Sequence, residues 1–358
     1  MRGITASILC GCEKIVRTSI VLTVLAASTA CVSALSFNFT FTPTSTPQDI
    51  AGFTAAGAFW SSKFADSVTI NMNVGTAALG SGILAQANST YSSVSYSDFR
   101  NKLATDATST FDTNALSSMA AGSSFGMLLN RTSNNPNGSG SATAYLDNDG
   151  DANNSSLYLT TANAKAVGYT FASGDSDASI TFGNAFSWDY NSDNGVSSGA
   201  YDFVGIAIHE IGHSLGFISG VDILDGNSPP INGPFSDNQF TFVSPLDLFR
   251  YSAASTTSGV IDWTAGTTSK YFSLDKGVTS IAAFSTGTNF GDGRQASHWK
   301  DNLGLGIMDP TADFGEALAA TPNDFLAFDV IGWNLVPEPS AILLYSFGIL
   351  CAMSRRRR

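Results

Sequence analysis

The 358-residue chain is predicted to fold as an α+β protein with two lobes. Residues 201–217 carry apolar side chains on most sides of a predicted helix, and Asp202 is its expected cap. Residues 68–74 alternate apolar and polar side chains, which is the pattern of a half-buried strand. Between residues 219 and 301 the pattern becomes irregular. A first lobe of sheet and helices followed by an irregular second lobe is therefore expected.

The elements of each lobe are predicted from the period of their apolar residues. The first lobe, residues 35–216, is expected to be a twisted sheet with helices, and the second, residues 217–335, to be irregular. Residues 132–156 lose the apolar period and fill with Asn, Gly, Ser and Asp, which predicts a loop. In chain order, the expected elements are a helix over 49–64, a strand over 68–74, a helix over 96–104, strands over 157–159 and 180–182, a helix over 201–217, and a helix over 324–331 that stops at Gly332.

Composition restricts the class of protein. Hydrophobic residues make up 43% of the chain, which is long enough to bury a substantial core. Charged residues make up only 13%, as is typical of extracellular bacterial surface proteins. Residues 35–340 contain ten Lys or Arg and 28 Asp or Glu, a net charge of −18. That charge repels nucleic acid and anionic membranes, so neither is expected as a partner.

All four cysteines lie near the ends of the chain, at Cys10, Cys12, Cys31 and Cys351. Residues 35–350 therefore contain no disulfide, no thiolate metal ligand and no cysteine nucleophile. For the same reason, no cysteine of that stretch can cover a metal in a zymogen.

The N-terminal residues 1–34 are predicted to be a secretory signal. Lys14 and Arg17 precede an apolar run over 20–27, and small residues at 32–34 suit signal peptidase. A first transmembrane helix is the alternative. The apolar run is short for that role, because a membrane span needs about 20 residues.

A metal-binding pattern lies inside the helix predicted over 201–217. Residues 209–213 read HEIGH and match H-E-x-x-H. Because His209 and His213 are four residues apart, they project from one helix face and suit two corners of a tetrahedral zinc site. Glu210 can reach a water on that metal without binding the metal, so it is the expected catalytic base.

The rarity of these residue types makes the pattern specific. The chain contains three histidines, and residues 35–335 contain two glutamates, Glu210 and Glu316. A chance cluster on a helix surface is therefore a much weaker interpretation than a zinc site.

The residues after the pattern resemble those of the metzincin zinc proteases. Gly216 lies three residues past His213, and a methionine turn with the sequence GIMDP surrounds Met308. The usual third histidine is missing, because Ser219 occupies its position. The remaining histidine is His298, 85 residues after His213 and followed by Trp. This order is similar to that of the leishmanolysin branch, over roughly residues 200–333.

The resemblance implies a metzincin-like fold in which an irregular lower lobe follows the helix that carries the first two ligands. It implies Zn²⁺ as the metal, with His209, His213 and His298 as ligands and Glu210 as the catalytic residue. It also implies that Gly216 ends the helix and that Met308 forms the floor beneath the metal.

Other residues compete with His298 as third ligand. Asp222 and Asp225 follow the helix closely, as in aspartate-liganded zinc proteases, and Glu316 would suit the glutamate-liganded class. A buried histidine beside Trp299 with no role at the metal is a further alternative.

An acidic stretch raises the possibility of calcium. Residues 147–151 read DNDGD and place oxygen ligands at alternate positions, as calcium loops do. The EF-hand spacing fails, because Ala152 and Tyr158 stand where a glycine and a carboxylate are required. A solvated acidic turn is the favoured interpretation, and Ca²⁺ elsewhere in so acidic a chain stays open.

The C-terminal residues 336–358 have three parts. Pro337-Glu338-Pro339 precedes an apolar segment over 341–353 and a terminal cluster of arginines. This arrangement resembles the PEP-CTERM sorting signal of Gram-negative bacteria. The resemblance implies processing by an exosortase, transient association with the inner membrane, and delivery to the cell surface or the medium. A permanent transmembrane anchor is the alternative, although about thirteen apolar residues are few for a stable span.

Together these observations predict an exported zinc-dependent endopeptidase that hydrolyses a protein or peptide substrate. An extended substrate is expected to pair with a sheet edge, and residues 179–182 are the candidate edge. A non-catalytic surface adhesin or matrix protein with a structural zinc site is the alternative. Glu210 distinguishes the two, because a structural site needs the histidines but not the neighbouring acid.

Overall fold

The structure is a computed structural model that describes residues 35–337. The predicted secretory signal over 1–34 and the sorting segment beyond Pro337 lie outside the described residues. Within 35–337, no helix is long and apolar enough to cross a membrane. The division into lobes after residue 216 stays a prediction.

The described residues form a mixed α+β fold, as the sequence predicts. The helices are α1 (Pro47–Ser61), α2 (Tyr96–Asp106), α3 (Thr110–Ser118), α4 (Ala152–Ser155), α5 (Thr161–Ala166), α6 (Phe203–Ser214), α7 (Val221–Asn227), α8 (Ala253–Ser258) and α9 (Pro322–Asp329). The strands are β1 (Ser36–Phe41), β2 (Thr69–Ala77), β3 (Ala85–Ser89), β4 (Tyr91–Ser95), β5 (Met127–Leu129), β6 (Tyr145–Asp147), β7 (Ser156–Thr160), β8 (Ala178–Gly183), β9 (Trp188–Asp189), β10 (Tyr201–Asp202), β11 (Arg250–Tyr251), β12 (Ile261–Asp262), β13 (Lys270–Phe272) and β14 (Ala282–Phe284).

The largest sheet has four strands in the order β1-β2-β8-β3. The first three are parallel, and β3 pairs antiparallel with β8 at the edge. The prediction that residues 179–182 form an edge is therefore wrong, because β8 lies between β2 and β3. The two edges are β1 and β3, and β3 reads AQANS, whose small and polar side chains give no strand signal in the sequence.

The helix α6 packs against both α1 and the edge strand β3. Asp202 caps it as predicted, since its side chain accepts a hydrogen bond from the Gly205 N–H at 2.9 Å. The indole N–H of Trp60 on α1 donates to the Ile208 carbonyl at 3.0 Å. These contacts fix the rotation of α6, and with it the face that carries its two histidines.

An aromatic cluster joins the sheet to α1 and α6. Phe53, Phe182 and Phe203 are fully buried, and their ring centroids lie 4.4 to 5.4 Å apart. Aromatic pairs at such distances each add about 0.5–1.5 kcal/mol beyond the burial of their area. The cluster therefore anchors the first turn of α6 beneath the sheet.

Three other segments can be compared with the sequence prediction. The predicted loop over 132–156 contains β6 and α4, which are too short to show a period. Residues 219–301 are irregular as expected, with no element longer than the seven residues of α7. The last helix, α9, begins two residues earlier than predicted, and Gly332 follows it at a φ of 107°.

Candidate metal centre

Three histidines from two separate segments meet beside α6. His209 and His213 lie one turn apart on this helix, and His298 lies in the connection between β14 and α9. The Nε2 atom of His213 lies 3.0 Å from Nε2 of His209 and 3.1 Å from Nε2 of His298. One donor atom from each ring lies within 4.8 Å of the other two. The three predicted ligands are thus brought together, and they could hold one metal ion.

The other ring nitrogen of each histidine contacts a backbone carbonyl. Because a carbonyl oxygen only accepts, each Nδ1 carries the proton and each Nε2 presents its lone pair to the other two. The carbonyls are those of Ile307 for His209 at 2.7 Å, Phe217 for His213 at 2.7 Å and Gln295 for His298 at 3.3 Å.

The spacing and charge state of the rings fit a metal ion. Tetrahedral ligands 2.0–2.1 Å from zinc lie about 3.3 Å from one another, close to the distances between these nitrogens. Burial lowers the pKa of all three rings, to about 3 for His213, where the neighbouring His209 adds to the effect. The imidazoles are therefore neutral, which is the form that binds metals.

Glu210 lies between the two helical ligands in sequence and is 7% exposed. Burial raises the pKa of its carboxyl to about 8, and a hydrogen bond from the backbone of Ala87 on β3 partly opposes this rise. A cation held by the histidines would favour the ionised form. Glu210 therefore follows His209 directly on α6 and contacts the edge strand.

The turn after α6 requires a glycine. Gly216 has a φ of 118°, and a Cβ there would lie 3.0 Å from the Cβ of Asn163. The turn brings back Phe217, whose N–H donates to the Gly212 carbonyl at 3.2 Å and whose own carbonyl contacts His213. Gly216 thus allows the chain to hold the ring of the second ligand.

Met308 is fully buried against α6. A Cβ at Gly212 would lie only 2.6 Å from its sulfur, so the close approach of this turn to the helix depends on a glycine. The preceding residue, Ile307, supplies the carbonyl that contacts His209. The methionine turn therefore orients one ligand as well as packing beneath the helix.

Asp324, on α9, holds this turn in place and was not predicted from the sequence to have a role. It is fully buried, and its carboxylate accepts hydrogen bonds from the Ile307 N–H at 2.9 Å and from the Trp299 indole at 2.8 Å. Its sequence signal is that of a helix capping box with Thr321, which gives no hint of the distant partners.

The other candidates for third ligand have different partners. Among the described residues, the group of close donor atoms consists of the three histidines. Asp222 accepts hydrogen bonds from the Ala296 and Ser297 N–H groups, and Asp225 accepts them from the Asn289 and Phe290 N–H groups. Glu316 accepts one from the Asp313 N–H group. Ser219, at the position of the usual third histidine, donates its hydroxyl to the Asp247 carboxylate.

In the acidic stretch over 147–151, Asp147 is buried and accepts a hydrogen bond from the Asn153 side chain at 2.7 Å. Burial raises the pKa of Asp147 to about 6, and the charges of Asp149, Asp237 and Asp151 add to the rise. Calcium binding by this protein stays a prediction.

Comparison of the chain with protein-family models, with curated proteins and with solved structures gives no match. The site therefore has to be interpreted from its geometry. Imidazole nitrogens suit zinc, copper, iron and nickel. A three-nitrogen set leaves at least one coordination position for water or substrate.

Proposed function

We propose that this chain is an exported zinc-dependent endopeptidase with a metzincin-like fold and the leishmanolysin order of ligands. One observation carries the proposal: three neutral imidazoles present their Nε2 atoms to one another, and the buried carboxyl of Glu210 lies on α6 directly after the first of them. Zinc is the proposed metal because three protein ligands and one open position are typical of catalytic zinc sites. The cysteine-free, acidic composition of residues 35–340 supports export.

The chemistry divides between the metal and the chain. Zinc held by the three histidines would supply a Lewis acid that polarises a peptide carbonyl and acidifies water. Glu210 accepts the proton of the attacking water at its carboxylate and donates it to the amine that leaves. Burial raises the pKa of Glu210 to about 8 and a cation bound nearby would lower it, so the group is suited to act as base and then as acid.

The edge strand β3 is the proposed docking site for the substrate backbone. The flanking residues Leu84 and Thr90 both bond to the β8 segment, at 2.8 Å. Because antiparallel pairing alternates, the backbone groups of Ala85, Ala87 and Ser89 point away from β8. The Ala87 backbone already makes a hydrogen bond to Glu210, and an extended peptide can pair with the backbone groups of Ala85 and Ser89 as an additional strand. The hydrogen bond between the Ala87 backbone and Glu210 supports this choice, because a peptide paired with β3 would lie close to the proposed catalytic carboxyl.

The test compares the wild-type protein with Glu210→Gln and with Glu316→Gln. Wild type is expected to carry one zinc per chain and to cleave casein or gelatin. Glu210→Gln should keep the zinc and lose about 10²–10⁴-fold in cleavage rate, because only the proton acceptor is removed. Glu316→Gln is the matched control, since this exposed side chain bonds to the Asp313 N–H instead, and it should keep both properties.

Two outcomes would contradict the proposal. Full activity of Glu210→Gln would remove the carboxylate from the mechanism. Zinc binding by a wild-type protein that cleaves no peptide would favour a structural zinc site in a surface adhesin.

A further inference from the structure

The third ligand depends on how its turn is held. His298 lies on an irregular turn, residues 295–298, far from α6 in the sequence. Its Nδ1 makes a 3.3 Å contact within that turn, to the carbonyl of Gln295, whereas His209 and His213 make contacts of 2.7 Å. The position of the His298 imidazole is therefore set by what fixes the turn as a whole.

Asp222, in the first turn of α7, fixes it through backbone N–H groups. One carboxylate oxygen accepts from the Ala296 N–H at 2.5 Å, and the other accepts from the Ser297 N–H at 3.1 Å. Hydrogen bonds to an ionised carboxylate are roughly twice as strong as neutral ones. The two donors, Ala296 and Ser297, directly precede His298 in the chain.

Arg250 holds the same turn through a carbonyl group. Its side chain is 1% exposed, and its guanidinium donates to the carbonyls of Ala296 and Ser285. The guanidinium also lies 3.4 Å from the Asp247 carboxylate. Both backbone polar groups of Ala296 are thus bound by charged side chains, which restricts the turn that carries His298.

The residues just before α7 are themselves held by hydrogen bonds close to the end of α6. The Asp247 carboxylate accepts hydrogen bonds from the Gly220 N–H at 2.8 Å and from the Ser219 hydroxyl at 2.6 Å. A Cβ at Gly220 would lie 1.5 Å from the Phe242 carbonyl oxygen, so the chain is closely packed at this point. A continuous set of contacts therefore runs from the end of α6 through α7 to the His298 turn.

We propose that Asp222 is a positioning residue that holds the His298 imidazole at the metal centre and does not bind the metal. This inference rests on the proposed metal centre. It replaces the alternative in which Asp222 is a ligand. Both carboxylate oxygens already accept backbone hydrogen bonds, and ligation would weaken at least one of them.

The experiment measures zinc affinity, by competition with a chromophoric chelator, for wild type, Asp222→Asn and Asp225→Asn. Asp222→Asn keeps the shape of the side chain but turns one acceptor into a donor that faces a backbone N–H. Affinity should fall about 10–100-fold, which is the usual effect of losing a contact that orients a ligand.

Asp225→Asn is the matched control. Asp225 also lies on α7 and accepts backbone hydrogen bonds, but these come from Asn289 and Phe290 and not from the His298 turn. This variant should bind zinc as wild type does, even if its thermal stability falls. Asp222→Glu, which keeps the charge but lengthens the side chain by one methylene, should lose affinity as Asp222→Asn does, and it serves if the asparagine variant does not fold.

Cobalt substitution separates positioning from ligation. At saturating Co²⁺, a positioning role predicts the wild-type visible spectrum for Asp222→Asn and recovery of peptidase activity at saturating Zn²⁺. A changed spectrum would make Asp222 a ligand and overturn the inference. Wild-type zinc affinity in Asp222→Asn would also overturn it, while leaving the proposed function intact. A wild-type protein without zinc affinity would instead remove the metal centre on which both rest.

Discussion

His209, His213 and His298 are kept neutral by burial, which lowers the pKa of each ring below its usual value. A histidine in water titrates near 6.5, and its protonated form cannot bind a metal. In a buried site, by contrast, a backbone carbonyl on Nδ1 fixes the tautomer and leaves Nε2 free. The three imidazoles could thus bind a metal without first losing a proton.

The substitution His298→Ala tests whether this histidine takes the place of the third ligand in the usual metzincin spacing. With two imidazoles left, the site lacks the third protein ligand that catalytic zinc sites have, so zinc should be lost at stoichiometric concentration and cleavage should disappear. Metal content by mass spectrometry and the casein assay measure the two effects. Glu316→Ala is the control and should retain zinc. Near-stoichiometric zinc in His298→Ala, with loss of zinc in the control, would move the third ligand to Glu316.

Among the elements, α6 could be predicted because its signals are local, although it ends at Ser214 and the prediction extended to residue 217. The cap at Asp202, the apolar period and the two histidines all lie within 12 residues. His298 could be identified only because histidine is so rare in the chain, since no local pattern links it to α6. The hydrogen bonds of Asp222 to the His298 turn and those of Asp324 to the methionine turn depend on long-range packing. The period of apolar residues along the sequence carries no information about such packing.

The edge strand β3 was missed for a related reason. Its sequence has no large apolar residue, and its role comes from pairing with β8, about ninety residues away. In the same way, β8 reads as a plausible edge from its own alternation, and only the complete sheet order places it in the interior. Local patterns thus predict which segments are strands better than they predict which strand lies at an edge.

Ala85→Pro tests whether β3 binds the substrate. Proline removes an N–H that points away from β8, so the sheet keeps its hydrogen bonds while a paired substrate loses one. One hydrogen bond contributes about 0.5–1.5 kcal/mol, so kcat/KM for a peptide substrate should fall roughly 2–10-fold with zinc content unchanged. Gln86→Pro is the control, because it removes an N–H that faces β8 and should lower Tm. Unchanged kcat/KM in Ala85→Pro would place the substrate elsewhere.

Across the whole molecule, folding concentrates part of the large negative charge in one place. Asp66, Asp106, Asp112 and Asp329 come from four separate segments, and burial together with the charges of neighbours in this group raises the pKa values of Asp66, Asp106 and Asp329. Asn334 donates hydrogen bonds to the first two of them. None of the ion pairs between described residues includes any of these four aspartates. No ion pair of the described residues neutralises the cluster, so proton binding by Asp66, Asp106 and Asp329 relieves the repulsion as the pH falls.

The pKa values of this cluster set the sign of its effect on stability. Burial raises the pKa of Asp66 and Asp106 to about 6 and that of Asp329 to about 7, where the charges of its three neighbours add to the rise. Because these values lie above the ordinary 3.8, the folded state binds the protons more tightly than the unfolded state. Their stabilising effect is complete below about pH 4 and is lost as the pH rises through 6 to 7.

Asp329→Asn should therefore stabilise the protein in a pH-dependent way. Asp329 is 1% exposed; one of its oxygens accepts from the Ser109 hydroxyl, and the other has no hydrogen-bond partner. An asparagine can keep the first bond, and it places an amide donor among carboxylates where a repelling charge stood. Since one pKa unit corresponds to about 1.4 kcal/mol, a gain of roughly 1–3 kcal/mol is expected at pH 8, with little gain at pH 4.5.

Thermal unfolding of both proteins at the two pH values measures this gain, and comparison at equal pH cancels any titration of the metal centre. Asp193→Asn, at an exposed carboxylate, should change Tm at neither pH. If Asp329→Asn melted below wild type at pH 8, the ionised carboxylate would have to stabilise the fold. The explanation that burial and neighbouring charges make this ionised form unfavourable would then be wrong.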